Sequence, residues 1–131
     1  MSKPIMIEVG AGELIDKITI LRIKSERITD AAKLVNIRHE LDVLSAAREA
    51  ELAHSEELTA LETALKEVNE ALWEIEDDIR ACEAAKDFGD RFIKLARAVY
   101  ITNDKRAALK KDINLLTGAS IIEEKSYTEF E

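Results

Sequence analysis

Thr102 and Arg106 interrupt an otherwise apolar stripe, and they are the first candidates for chemistry in this chain. Phe92, Leu95, Val99, Thr102, Arg106, Leu109, Ile113 and Leu116 recur at alternating intervals of three and four residues, the spacing of a helix seam. A charge in the middle of such a seam is costly unless it has a partner. An earlier stripe, Leu58, Leu61, Leu65, Val68, Leu72, Ile75, Ile79 and Cys82, has the same spacing, and Lys86-Asp87-Phe88-Gly89 separates the two. The pair predicts a long antiparallel helical hairpin with Leu72 opposite Thr102 and Val68 opposite Arg106. That pairing sets Arg106 beside Asn69, Trp73, Glu76 and Arg80, a face adjoining the seam, and Asn103 with Asp104 extends the patch. Arg106 and a carboxylate such as Glu76 or Glu70 then form a buried ion pair that fixes register, or a site for a small anionic ligand. No Gly-rich phosphate loop accompanies them, which favours structural use. The polar-layer or ligand-binding candidates are therefore Asn69, Trp73, Glu76, Arg80, Thr102, Asn103 and Arg106; no catalytic residue stands out.

Four other groupings carry less. Glu67, Glu70, Glu74 and Asp77 share one helical face and resemble the magnesium-holding carboxylates of all-helical nucleotide pyrophosphohydrolases, but those lie as two pairs on separate helices. A solvated acidic face opposite the seam is the expectation. Glu51-x-x-His54 has the spacing of a di-iron ligand pair, yet His39 offers no second copy of the motif. Cys82 closes an apolar stripe with no histidine near it in sequence, which suits a packed small hydrophobe better than a nucleophile. Trp73, the single Trp, suits core or interface packing better than ligand stacking.

With 131 residues, four Gly, one Pro, 47% hydrophobic and 35% charged side chains, the chain reads as a single helical domain, residues 1–131, rather than a sandwich or barrel. A formal charge of -8 argues against nonspecific nucleic-acid binding or attachment to an anionic membrane. One Cys and two His are too few for a thiolate and imidazole zinc site, so neither a metal nor a cofactor is expected, and a reducing cytoplasm is the natural compartment. The N-terminal apolar run is too short for a signal peptide, and no stretch approaches the roughly 20 apolar residues that cross a bilayer.

Positioning the polar patch needs about four helices. Residues 4–9 form a short extended arm, and Gly10-Ala11-Gly12 breaks the chain before a first helix over 13–28. Its stripe of Leu14, Ile18, Leu21 and Ile28, widened by Ile15, Ile20 and Ile23, predicts a central position. Thr29-Asp30 caps a second helix bearing Leu34, Ile37, Leu41 and Leu44. Residues 31–84 contain no Gly or Pro, but the two stripes within them are out of phase at 51–58, and Ser55-Glu56-Glu57 is an N-cap sequence. A turn at 53–56 is expected, then helices over 56–84 and 90–116, the latter capped by Asp87 or Asp90 and stopped by Gly118. The tail, 119–131, carries Ile121, Ile122, Tyr127 and Phe130 and is expected to pack on the bundle or on a neighbour.

The segments Gly12-Glu13-Leu14-Ile15-Asp16-Lys17-Ile18-Thr19-Ile20-Leu21, Val68-Asn69-Glu70-Ala71-Leu72-Trp73-Glu74-Ile75-Glu76-Asp77-Asp78-Ile79-Arg80 and Tyr100-Ile101-Thr102-Asn103-Asp104-Lys105-Arg106-Ala107-Ala108-Leu109-Lys110, with Glu123-Glu124-Lys125-Ser126-Tyr127, resemble a family of short bacterial proteins known only as a domain of unknown function. The resemblance covers most of the chain outside 45–60 and implies a bacterial origin and a helical domain, with no catalytic residues to carry over. The expected fold class is all-α: an antiparallel bundle of about four helices with a coiled-coil-like hairpin and a short N-terminal arm. The surplus apolar surface of the first helix, Trp73 and the tail predicts a homodimer. The expected function is a protein-interaction or scaffold module with a possible protein partner. The alternative is a small ligand-binding protein or enzyme acting on an anionic, phosphorylated small molecule.

Overall fold

The computed structural model describes residues 3–118 and 124–130 and contains four helices: α1 (Ala11–Arg27), α2 (Ala31–Glu51), α3 (Glu56–Ala84) and α4 (Asp90–Thr117). Local chemistry sets the boundaries. Asp30 accepts a hydrogen bond from the Lys33 amide at 2.9 Å and starts α2. Ser55 accepts from the Leu58 amide at 3.1 Å and starts α3, so the phase slip between the two apolar stripes is a real break, spanning residues 52–55. At the hairpin turn the expectation fails in detail. Neither Asp87 nor Asp90 caps α4; its N-cap is Gly89, and the Asp87 side chain instead accepts the Gly89 amide at 3.1 Å. The turn folds back through Lys86, which adopts a left-handed backbone at φ 56°. Gly118 ends α4 at φ 69°, a conformation glycine takes without a Cβ penalty.

Helices α3 and α4 pack along one another as the matched stripes require, and α1 lies against both. Contacts along α1 climb α3 while descending α4. Near its start Gly12 meets Asn114, one turn on Asp16 meets Arg106 and Asn69, and at its end Arg27 meets Glu74. Helix α2 then packs along α1, and its last turn is tied to α3 by a buried Arg48 that donates to Glu62. The central position expected of α1 follows from its wide apolar face: Ile15, Ile18, Leu21 and Ile23 are all at most 4% exposed.

Crowding is tightest at the base of the hairpin. Ile15, Leu58, Leu65 and Ile113 form the buried cluster, with Ala11, Leu52, Leu61 and Leu109 packed around it. There α1 approaches α4 so closely that a Cβ on Gly12 would collide with the Lys110 carbonyl oxygen and lie 3.1 Å from Asn114 Oδ1. Further up, the seam residues Leu72, Ile75, Ile79 and Val99 are only half-buried, and Phe88 packs edge-on against Phe92 at the tip.

The two ends of the chain behave differently. Residues 3–9 form no helix or strand and are exposed throughout. Tail residues 124–130 run back along α4: Glu124 pairs with Lys111, Lys125 with Asp104, and the Phe130 ring meets Tyr100 edge-on at 5.4 Å. Ile121 and Ile122 lie outside the described residues.

Leu65→Ala should cost about 2 to 5 kcal/mol in chemical denaturation, because Leu65 is fully enclosed. Leu72→Ala should cost about 1 kcal/mol, since only part of that side chain leaves water on folding. Equal losses at the two positions would contradict the uneven burial of the seam.

Candidate functional site

Arg106 does have a carboxylate partner, but it is neither Glu76 nor Glu70. Its Nε donates to Asp16 Oδ1 at 2.9 Å and its Nη2 to Asp16 Oδ2 at 2.5 Å, a bidentate pair joining α4 to α1. Asn69 Nδ2 on α3 lies 2.9 Å from both Asp16 Oδ1 and Thr19 Oγ1, and the Thr19 hydroxyl donates to the Asp16 carbonyl at 2.8 Å. Asp16, Thr19 and Asn69 are each at most 5% exposed, whereas the Arg106 side chain keeps 30% of its surface in water. Beside them, Lys110 donates to Glu13 at 2.7 Å and stands 4.0 Å from Asp16 Oδ2. The polar layer therefore binds three helices with its charges matched in sign.

Glu76 and Glu70 are engaged elsewhere because α1 fills the groove between α3 and α4 and brings its own carboxylate to Arg106. Glu76 pairs with Arg80 at 3.4 Å, and Glu70 lies 3.7 Å from Lys66 and 4.0 Å from Arg27. Arg27 also binds Glu74, a hydrogen bond that raises the guanidinium further above its ordinary pKa. The expected acidic face is thus partly turned toward α1 rather than wholly solvated. Asp16 was the residue missed in sequence. It stands inside the apolar face of α1, next to Ile15 and two residues before Ile18, a placement that demands a cationic partner.

Above the polar layer a cleft of about 500 Å³ opens between α1 and the hairpin. Ile20, Ile23, Leu72 and Trp73 supply its apolar walls; Asn69, Glu76, Asp77, Arg80, Asn103 and Arg106 supply its polar groups. Every sequence-chosen candidate except Thr102 lines this cleft; Thr102 stays half-buried in the seam. The charges do not suit an anion. Arg106 is held by Asp16, and the exposed Arg80 stands 3.4 Å from Glu76, so with Asp77 at the rim the cleft's two cations face three carboxylates.

The remaining groupings resolve separately. His54 hydrogen-bonds Glu49 at 2.9 Å rather than forming a site with Glu51, and that contact holds the Glu49 carboxyl below its ordinary pKa. Cys82 is a buried free thiol at the hairpin tip, with Arg91 Nη1 3.8 Å from its sulfur. Two further polar ties, Arg48 to Glu62 and Asn114 to Gly12, gave no periodic signal because each joins residues on different elements.

The buried Asp16, Thr19 and Asn69, with Arg106, lie in three of the four segments that carry the family resemblance, and the model of one family, described as a family of unknown function (DUF6165), matches residues 5–130. The chain belongs to that family. The match to DUF6165 takes in all four helices, the polar layer and the cleft. Comparison with the curated proteins and with the solved structures finds no match.

Arg106→Ala should destabilise the fold by about 3 kcal/mol, because it strands a fully buried carboxylate. Adding Asp16→Leu should recover most of that loss. Urea denaturation of wild type, both single variants and the double variant gives the coupling, and strictly additive losses would mean that the pair does not organise the layer.

Proposed function

We propose that the protein is a cytoplasmic interaction module of bacterial origin, a single helical domain that associates with a second copy through the cleft above the polar layer. One observation carries this reading: the cations of the cleft, Arg80 and Arg106, are outnumbered by the carboxylates of Asp16, Glu76 and Asp77, while the aliphatic and Trp walls stay open beside them. Buried polar layers fix register and orientation in helical assemblies, which is what Asp16, Asn69 and Arg106 do for α1 against the hairpin. The apolar walls supply surface whose removal from water drives association. The exposed side chains Val35 and Val43 on α2 and Ile93 on α4 add apolar area outside the cleft.

A small anionic, phosphorylated ligand remains the alternative reading, favoured by the nearness of Asn103, Asn69 and the partly exposed Arg106 to one another along the cleft. A cleft of this size is within the range of small-molecule sites. Its charge balance weighs against that use.

Sedimentation at micromolar concentrations should give a dimer, and Trp73→Ala should shift the equilibrium toward monomer while preserving helix content. Inorganic phosphate, a nucleoside triphosphate and a sugar phosphate should leave the melting temperature unchanged. A monomer at all concentrations, together with stabilisation by one of these phosphates that Arg106→Met removes, would replace the module by the ligand-binding alternative.

A further inference from the structure

We infer that the occupant of the Trp73 cleft is the N-terminal arm of a second copy of the chain, with Ile5, Met6 and Ile7 against its apolar walls and Lys3 at its acidic rim; the inference rests on the interaction-module reading above. The arm has no covering of its own. Ile5 and Met6 are 88% exposed and Ile7 is 74% exposed, three consecutive large apolar side chains that favour burial. Pro4 lies within the segment's start and Gly10, the extended N-cap of α1, follows it, so residues 3–9 stay outside the helix. Extended, residues 3–9 span roughly 20 Å, enough to leave one bundle and enter another.

The cleft complements that segment in both respects. Ile20, Leu72 and Trp73 offer an apolar surface over the buried Ile23, and Asp77 stands at the rim with no ion-pair partner among the described residues. Lys3 immediately precedes the apolar run and would supply the matching charge. In the single chain the arm is exposed along its length and the cleft stays open. A reciprocal exchange between two copies fills both clefts and covers both arms, the closed two-fold arrangement that homodimers favour.

Trp73 is the single Trp, so its emission reports the cleft directly. In the full chain, raising the concentration should move that emission to shorter wavelengths in step with dimer formation measured by sedimentation. Ile5→Ser with Ile7→Ser should weaken dimerisation at least about tenfold, with helix content unchanged because those side chains are exposed and lie outside the helices. A synthetic peptide of residues 3–10 should then restore the emission shift in that variant, more weakly when Asp77→Lys is added. A dimer undiminished by the arm substitutions, with Trp73 still shielded, would overturn the arm inference and leave the interaction module standing. An emission shift that depends on the arm but not on concentration would mean that each cleft takes its own arm, which also overturns it. A wild-type chain that is monomeric with solvent-exposed Trp73 would sink the inference and the module together.

Discussion

A single carboxylate inside an apolar helix face governs how this bundle assembles. Asp16 lies where α1 is otherwise built of Ile15, Ile18 and Ile23, and burying it alone would be prohibitive. The chain meets that cost by threading the groove between α3 and α4 so that Arg106 and Asn69 converge on the carboxylate from opposite sides. The apolar face of α1 could be buried at several rotations and heights along the hairpin. Only positions near the observed one also satisfy Asp16, so hydrophobic burial supplies the driving force and the polar layer selects the register. Buried pairs of this type contribute less to net stability than to uniqueness, and the half-wet Arg106 fits that role.

The same constraint explains why the cleft exists. Locking Asp16 to Arg106 sets where the C-terminal turns of α1 can lie, and from Ile20 onward the helix leaves a gap against Trp73 and Asp77. The hairpin outruns its neighbours as well: α3 and α4 have 29 and 28 residues, against 17 in α1. The stripe of leucines and isoleucines is accordingly dry at Leu65, where α1 packs close, and half-open at Leu72, which faces the gap. Exposed apolar side chains remain on the arm, at Val35 and Val43 of α2, along α4 from Ile93 to Leu116, and on the tail at Tyr127 and Phe130.

Much of this was legible in the sequence, for reasons that differ by element. The 3,4 spacing of the two stripes gave the hairpin, and their phase slip together with Ser55 gave the break before α3, because periodicity and capping are local properties. Arg106 was legible as an anomaly within its stripe, and its neighbours along the cleft followed from antiparallel geometry. The identity of its partner was not. Glu70 and Glu76 were nearer in the hairpin frame, and nothing local to residues 13–28 states how α1 sits against α4. Asp16 is recognisable afterwards as the complementary anomaly, one misplaced charge in each of two faces that must meet. Asp87, judged as a helix cap from composition, serves the turn instead, because the left-handed Lys86 has already reversed the chain.

The close approach at Gly12 bears on the order in which the molecule takes shape. The first turn of α1 has no side-chain cap of its own at Gly10, and the Gly12 amide is satisfied by Asn114 at 2.8 Å, 102 residues downstream. A helix start held in this way is secure only once α4 exists and has folded back. The contact closes a loop of about a hundred residues, so the protein partner of that amide arrives only when α4 has folded back onto α1, and the loss of chain freedom in closing the loop opposes it.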